Sequence, residues 1–377
     1  MSVSATQGLE EVVAADTAIS WIDGRAGELR YRGYPIGELA ESSSFEAVAY
    51  LLWNGDLPGA QELRALREEL RARRMDRVNV LELVASVPLS GHPLDVIRYA
   101  VSRDSLSNPL AWDNGPEANR RKAVDMAAWF PLAVAAYHRR RAGLDPITPR
   151  PDLDTAGNFL YMLYGQVASP ESTRTLDTAL ILHADHELNA STFAARVTIA
   201  TQSNLHAAIA SALGTLTGPR HGGASERVIT MLEEIGTAEN VGPWVRERLA
   251  RRERIMGFGH RVYRTVDPRS RHLRAMAEIV LTGSEQEAWI AILDELARVM
   301  ARDKDLYPNV DLYAAVVNRA LGIDPDFYTS IFAISRIVGW TAHAIEQLSG
   351  RMIRPTARYT GPGLRHVLEY RGNRTAG

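Results

Sequence analysis

Arg336 stands in Ile331-Phe332-Ala333-Ile334-Ser335-Arg336-Ile337-Val338-Gly339-Trp340, a helical run that is otherwise nearly all apolar. A guanidinium keeps its proton, so burying one demands an anion. That anion is either an internal Asp or Glu, or the carboxylate of a bound molecule held bidentately. Arg354, in Met352-Ile353-Arg354-Pro355, and Arg269, ahead of a helical pattern of its own, are candidates for the same task. Several arginines on one small ligand would mean a polycarboxylate.

Two histidines lie in glycine-rich joints. In Gly257-Phe258-Gly259-His260, which runs on to Arg269, two glycines bracket an aromatic residue directly before the imidazole. Glycines let the backbone approach a ligand closely and free N–H groups for hydrogen bonding; the alternative is a turn with a surface histidine. The third glycine of a Rossmann fingerprint is missing, and no Gly-Lys-Ser/Thr marks a phosphate loop. In Gly218-Pro219-Arg220-His221-Gly222-Gly223-Ala224-Ser225-Glu226, the histidine falls between two helices. The N–H groups and dipole of the following helix hold such an imidazole neutral, fit to donate a hydrogen bond. A helix connector that needs glycine for its turn reads equally well.

Asp311, in Tyr307-Pro308-Asn309-Val310-Asp311-Leu312-Tyr313, is a carboxylate at the entrance of an apolar helix. It is either a first-turn acid complementing the helix dipole, or a general base made stronger by a desolvated cleft. His183-Ala184-Asp185-His186-Glu187 sets two histidines one helical turn apart. The order is neither His-Glu-x-x-His nor His-x-x-Glu-His, and no third zinc ligand is nominated. A substrate-binding or helix-ending role is the better reading.

Composition narrows the classes. The 377 residues carry 43 Lys+Arg against 45 Asp+Glu, so no general field attracts nucleic acid or an anionic membrane. With no cysteine there is no disulfide, thiolate nucleophile or iron–sulfur cluster. Met1–Asp16 lacks the pattern of a secretory signal, and the longest apolar run, Met126–Tyr137, is shorter than the ~20 residues of a membrane span. The expectation is a soluble, cytoplasmic protein. Arg-rich clusters at Arg71–Arg74, His138–Arg141 and Arg251–Arg254 fall at helix ends, where basic residues complement the dipole.

The elements that must position these residues are helical almost throughout. Apolar residues recur at helical spacing over Gln61–Arg74, Pro93–Leu106, Glu117–Arg141, Leu153–Tyr164, Glu171–His183, Thr192–Thr215, Glu226–Ile235, Pro243–Arg254, Arg271–Leu281, Gln286–Arg302 and Asp326–Leu348. Ala18–Ile22 and Leu29–Tyr31 flank a polar, glycine-containing turn and read as one small hairpin.

Taken together, these segments resemble the citrate synthase family, from Tyr31-Arg32-Gly33-Tyr34-Pro35-Ile36 to Arg354-Pro355. Gly257–Arg269 is the most specific match, and Gly218–Ala224, His183–Thr192 and Tyr307–Asp311 each match independently. The resemblance implies condensation of acetyl-CoA with oxaloacetate and hydrolysis of citryl-CoA, with the thioester as substrate and neither cofactor nor metal. It makes Asp311 the base that takes a methyl proton, His221 the donor to the thioester oxygen, and His260 the group that polarises the oxaloacetate carbonyl. His186, Arg269 and Arg336 match oxaloacetate and citrate ligands, and Arg354 one supplied by the neighbouring subunit of a homodimer. Ile255–His260 resembles the CoA-packing loop. Arg251, Arg252, Arg254, Met256, Gly257, Phe258, Gly259 and Asn309 are the corresponding CoA candidates.

The implied fold is all-α in two domains with a small N-terminal β-hairpin. Residues 1–222 begin the large domain, 223–321 form the small one, and 322–377 complete the large domain and its C-terminal arm. Ser225 stands where many relatives carry Asn, and Leu312-Tyr313-Ala314-Ala315 replaces a commoner Phe, Tyr, Ser, Gly pattern. Both bear on the acyl pocket, and 2-methylcitrate synthase, which uses propionyl-CoA, shares the catalytic set. Without the long N-terminal extension of hexameric, NADH-inhibited members, a simple dimer is expected.

Overall fold

Helix starts in this chain are set by short polar side chains that accept from the first free N–H groups. Asp154, Ser169, Asn189, Asn204 and Asn309 each cap a helix in this way. The structure, a computed structural model, describes residues 7–9, 12–76, 79–222 and 226–365. Among these, β1 (Ser20–Asp23), β2 (Glu28–Tyr31) and β3 (Tyr34–Pro35) form one antiparallel sheet in that order, with Ser20 opposite Tyr31. The helices are α1 (Ile36–Ser42), α2 (Phe45–Asn54), α3 (Ala60–Asp76), α4 (Asn79–Ser86), α5 (Pro93–Ser107), α6 (Pro116–Arg141), α7 (Thr155–Tyr164) and α8 (Pro170–His183). They continue with α9 (Ala190–Ile199), α10 (Leu205–Leu216), α11 (Glu226–Ile235), α12 (Val241–Ala250), α13 (Pro268–Leu281), α14 (Ala288–Lys304), α15 (Val310–Ala320) and α16 (Tyr328–Gln347). The all-α expectation and the hairpin both hold.

Two helices organise the core. Every residue of α6 from Lys122 to Tyr137 is buried, and so is α16 from Tyr328 to Ala344, apart from half-buried Phe332. They pack on each other, with α3, α4, α5 and α7 around α6, and α2, α8, α9 and α10 around α16. Helices all apolar around their circumference belong in such positions. The helices α11 to α15 pack largely among themselves, and α13 reaches α1 and α8.

The structure divides the single helix expected over Thr192–Thr215. Gln202 adopts a left-handed φ of 64°, and Asn204 caps a new helix by accepting from Ala207 N–H at 2.8 Å. The helices α1, α2 and α4 were not foreseen in the pattern, nor was β3. The Arg71–Arg74 and His138–Arg141 clusters are largely spent inside the fold. Arg73 pairs with Asp125 at 3.3 Å, Arg139 donates to Leu163 O at 3.0 Å, and Arg141 pairs with Asp326. Gly223, on the far side of the expected domain boundary, and Ser225 lie outside the described residues, as do 1–6, 10–11, 77–78 and 366–377.

Buried acids on α2 and α8 make a testable stability element. Asp177 accepts from Phe45 N–H at 2.9 Å beside Glu46 and Asp154, with Arg174 at 3.2 Å. Burial, then the neighbouring carboxylates, push its pKa from 3.8 up to about 7. A value raised on folding means the native state binds this proton more tightly. The group's contribution is therefore fully present below the unfolded value and is lost as pH rises through about 7. Asp177→Asn is expected to gain stability relative to wild type between pH 5 and pH 8, on the order of 2–4 kcal/mol. Thermal unfolding of both chains at the two pH values checks it.

Candidate active site

Three chain segments converge on the C-terminal half of α8 and the stripe Arg336, Trp340 and His343 of α16. Positions i, i+4 and i+7 share one helix face. Gly339 lets α16 press close: a Cβ there would stand 2.3 Å from Ala184 O and 2.6 Å from Asp185 Oδ1.

The first segment is the turn after α8. His183 Nδ1 lies 2.7 Å from Ala179 O, and its own carbonyl accepts from Arg336 Nε–H at 2.6 Å. Asp185, fully buried, accepts at Oδ2 from Ser20, from Glu187 N–H at 3.1 Å and from His343 at 3.2 Å. Arg196 lies 3.1 Å from His343 Nδ1 and is a donor only, so the His343 proton sits on Nε2, facing Asp185. His186 follows, its ring 5.2 Å from that of His260 and its Nε2 3.2 Å from the Tyr263 hydroxyl. Burial, then Arg269 and His260, hold its pKa well below the ordinary histidine value.

The second segment pairs residues 257–259 with 307–309. Gly259 N–H donates to Tyr307 O at 3.0 Å and Asn309 N–H to Gly257 O at 2.9 Å. Asn309 splices the two: Oδ1 caps α15 through Asp311 N–H, and Nδ2 donates to Gly259 O at 2.9 Å. Gly257, at φ 79°, touches Leu312; a Cβ there would be 2.7 Å from the Leu312 Cβ, so only glycine fits. Asp311 is thereby held in the first turn of α15, beside the His260 loop. Its burial pushes the pKa up to about 6, against the opposing pull of Arg269. His260 Nδ1 accepts from the amides of Val262 at 3.0 Å and Tyr263 at 3.2 Å, which leaves the ring proton on Nε2. Burial, then Arg269, lower its pKa to about 4, so it is neutral at physiological pH.

The third segment ends α10. Gly222 passes so close to Leu216 that a Cβ would stand 2.3 Å from its carbonyl oxygen. His221 is half-buried, its Nε2 2.8 Å from Ser191 Oγ, and burial lowers its pKa to about 4. Ser191 accepts from Trp340 Nε1–H at 3.1 Å. Its one proton has two acceptors in reach, Asn189 Oδ1 at 2.8 Å and His221 Nε2. Given to Asn189, it leaves the imidazole proton on Nε2, facing serine; given to His221, it leaves that proton on Nδ1, the nitrogen not engaged by serine. Neither Ser191 nor Trp340 was singled out from the sequence, since each acts only through a partner that folding brings to it.

The arginines divide. Arg269 is buried and bonded twice to buried Asp267, Nε at 3.0 Å and NH2 at 2.6 Å, so its charge is already matched. Arg336 is 1% exposed; its Nε is used by His183 O, while both terminal nitrogens are buried without any hydrogen-bond partner. Its guanidinium carbon lies 4.4 Å from the centre of the Phe332 ring. Burial lowers its pKa to about 10, so it stays cationic. Arg354 is exposed and lines a separate cavity of about 810 Å³ between residues 14–18 and the segment that follows α16. Arg251, Arg252 and Arg254 are exposed, Arg251 pairing with Glu247 at 2.5 Å; Met256 and Phe258 are half-buried.

His186, His260 and Asp267 present ligand atoms within 4.8 Å of one another. The donor set suits a cation poorly: both Asp267 oxygens serve Arg269, and the backbone fixes the proton on the free nitrogen of His260. A cavity of about 20 Å³ beside Asp311 is lined by Leu180, His183, Ala314, Ile331 and Phe332, among others.

Neutral imidazoles, a carboxylate of raised basicity and a buried guanidinium whose terminal nitrogens have no hydrogen-bond partner make a centre for acid–base chemistry on a carboxylate-bearing substrate. The family described as citrate synthase, C-terminal domain, matches residues 8–356. The chain is 45% identical to citrate synthase 2 of Bacillus subtilis over 362 residues, 96% of this chain and 97% of that one. It is 43% identical to 2-methylcitrate synthase of Mycobacterium tuberculosis, over 94% and 90%. Its fold superposes with a TM-score of 0.90, at 32% identity over 96% and 98%, on citrate synthase of Thermoplasma acidophilum, solved as a ternary complex with carboxymethyl coenzyme A and oxaloacetate. These similarities place the protein among the acyltransferases that convert the acyl group to alkyl on transfer. The chain belongs to the citrate synthase family.

Proposed function

We propose that the protein condenses acetyl-CoA with oxaloacetate and hydrolyses citryl-CoA to citrate and CoA, with the residues above in these roles. The observation that carries the reading is Arg336: a buried guanidinium whose two terminal nitrogens no protein group engages is suited to bidentate binding of a carboxylate. His186 and Arg269 join it around oxaloacetate. His260, with its proton on Nε2, donates to the ketone oxygen, making the carbonyl carbon electrophilic. Asp311 takes a methyl proton from the thioester while His221 Nδ1–H holds the enol oxygen. The enol carbon then attacks the ketone, forming the carbon–carbon bond of citryl-CoA, and water releases CoA. All polarising groups are imidazoles and guanidiniums, so the reading needs neither metal nor cofactor.

Residues 1–222 with 322–377, and 223–321, are read as two domains that close on oxaloacetate, completing the site before the thioester is exposed to it. Arg354, exposed in the irregular segment after α16, is read as donated across a two-fold axis to the partner's site in a homodimer. Among the described residues no helix is long and apolar enough to cross a membrane. A cytoplasmic setting without nucleic-acid partners remains the reading from composition.

The cavity beside Asp311 favours some use of propionyl-CoA, since about 20 Å³ is room for one small group. One methylene in an apolar pocket discriminates by about 1–3 kcal/mol. Acetyl-CoA is therefore expected to be preferred while propionyl-CoA is still turned over. Ala314→Leu, which fills the cavity, is expected to depress kcat/KM for propionyl-CoA more than for acetyl-CoA. CoA release with each thioester and oxaloacetate tests both the activity and this ranking; equal losses would detach the cavity from acyl choice.

A further inference from the structure

The small sheet of this helical protein lies between the two segments that carry His186 and His260. At its base, the Tyr31 hydroxyl donates to Asp185 O at 2.9 Å and accepts from Asp185 N–H at 3.1 Å, while Ser20 Oγ donates to the Asp185 carboxylate and accepts from Glu187 N–H at 2.9 Å. Both strands thus grip the turn that presents His186. At its tip, Gly24 O accepts from Arg264 N–H at 2.8 Å. A Cβ on Gly24 would stand 2.2 Å from Val262 O, and one on Gly27 2.8 Å from Thr265 Cγ2. The tip is itself fixed by Asp23 Oδ1, which accepts from the amides of Arg25 at 2.8 Å and Ala26 at 2.9 Å. The loop it presses on begins with the Val262 and Tyr263 amides that hold His260 Nδ1.

We propose that the β1–β2 hairpin is a positioning strut that sets the separation of His186 and His260, and so the fit of the site to oxaloacetate. The inference rests on the functional reading above. A rigid hairpin pinned at both ends is a mechanical link in series: freeing either end releases the same constraint. A misplacement of about 1 Å in such a site costs up to about 100-fold in rate.

Gly24→Ala frees the tip, and Tyr31→Phe with Ser20→Ala, made as one base variant, frees the base. Each is expected to raise KM for oxaloacetate about tenfold, with KM for acetyl-CoA at saturating oxaloacetate changed less than about twofold. With the tip and base variants combined, the KM for oxaloacetate is expected to match the worse of the two, whereas the losses in Tm add. Gly33→Ala is the control: at φ 91° the substitution is strained, but its Cβ meets nothing within 4 Å, so Tm falls and KM holds. Should Gly24→Ala not fold, Asp23→Ala loosens the tip without inserting an atom and takes its place. An oxaloacetate KM within about twofold of wild type for the tip variant, or KM effects that multiply in the combination, overturns the strut. Absence of condensation by the wild-type chain overturns the functional reading instead.

Discussion

Replacing Arg336 by methionine is expected to change the stability of the ligand-free protein by no more than about 2 kcal/mol, yet to weaken oxaloacetate binding roughly 10²–10³-fold. The two halves have one cause. In the free protein, the terminal nitrogens of Arg336 are buried with no partner, so the cation is held at an energetic cost that a thioether of similar reach avoids. Against that, methionine forfeits the charged bond from Nε to His183 O, worth about 1.5–3 kcal/mol, the contact with the Phe332 ring, worth about 2 kcal/mol, and the attraction of buried Asp185. Residues kept for a ligand rather than for the fold show this trade-off. Thermal unfolding without ligand and calorimetric titration with oxaloacetate measure the two halves. A strongly destabilised variant with unchanged affinity would make Arg336 a structural residue.

Asp311→Asn is expected to fold and bind oxaloacetate like wild type but to lose roughly 10²–10⁴-fold in kcat. Asparagine keeps the volume and can still face the methyl group, but it cannot accept the proton. The pH dependence carries a sign. Burial raises the Asp311 value to about 6, and the ionised form is the base, so activity is lost as pH falls through about 6. His221 and His260, with values held near 4 by burial, stay neutral across that window and do not produce the limb. Steady-state kcat/KM from pH 5 to 8 gives the profile. Near-wild-type turnover by the asparagine variant removes Asp311 from proton transfer.

Legibility in the sequence followed the range of the forces involved. An arginine in an apolar helix announces its need for an anion without any knowledge of the fold, and Arg336 bears that need openly. The same logic placed Asp311 at a helix start and His221 and His260 in glycine joints, because caps and turns are local. What stayed hidden depends on chain segments far apart. Asp267 takes two nitrogens of Arg269 while the terminal nitrogens of Arg336 find no hydrogen-bond partner, so two arginines alike in the sequence are satisfied differently. Gly24 reads as an ordinary turn glycine until Val262, from the opposite side of the site, leaves no room for a Cβ. The break at Gln202 turned on a left-handed residue that no periodicity signals.

The central claim is that Asp311 and the two imidazoles make a carbon–carbon bond from a thioester methyl group. Its most direct test supplies the protein with oxaloacetate and acetyl-CoA deuterated at all three methyl positions, and reads the products by mass. The account predicts free CoA together with citrate carrying two deuterium atoms, one having been surrendered to the base. Free CoA accompanied by acetate with all three deuterium atoms, and no labelled citrate, would show hydrolysis without condensation and contradict it.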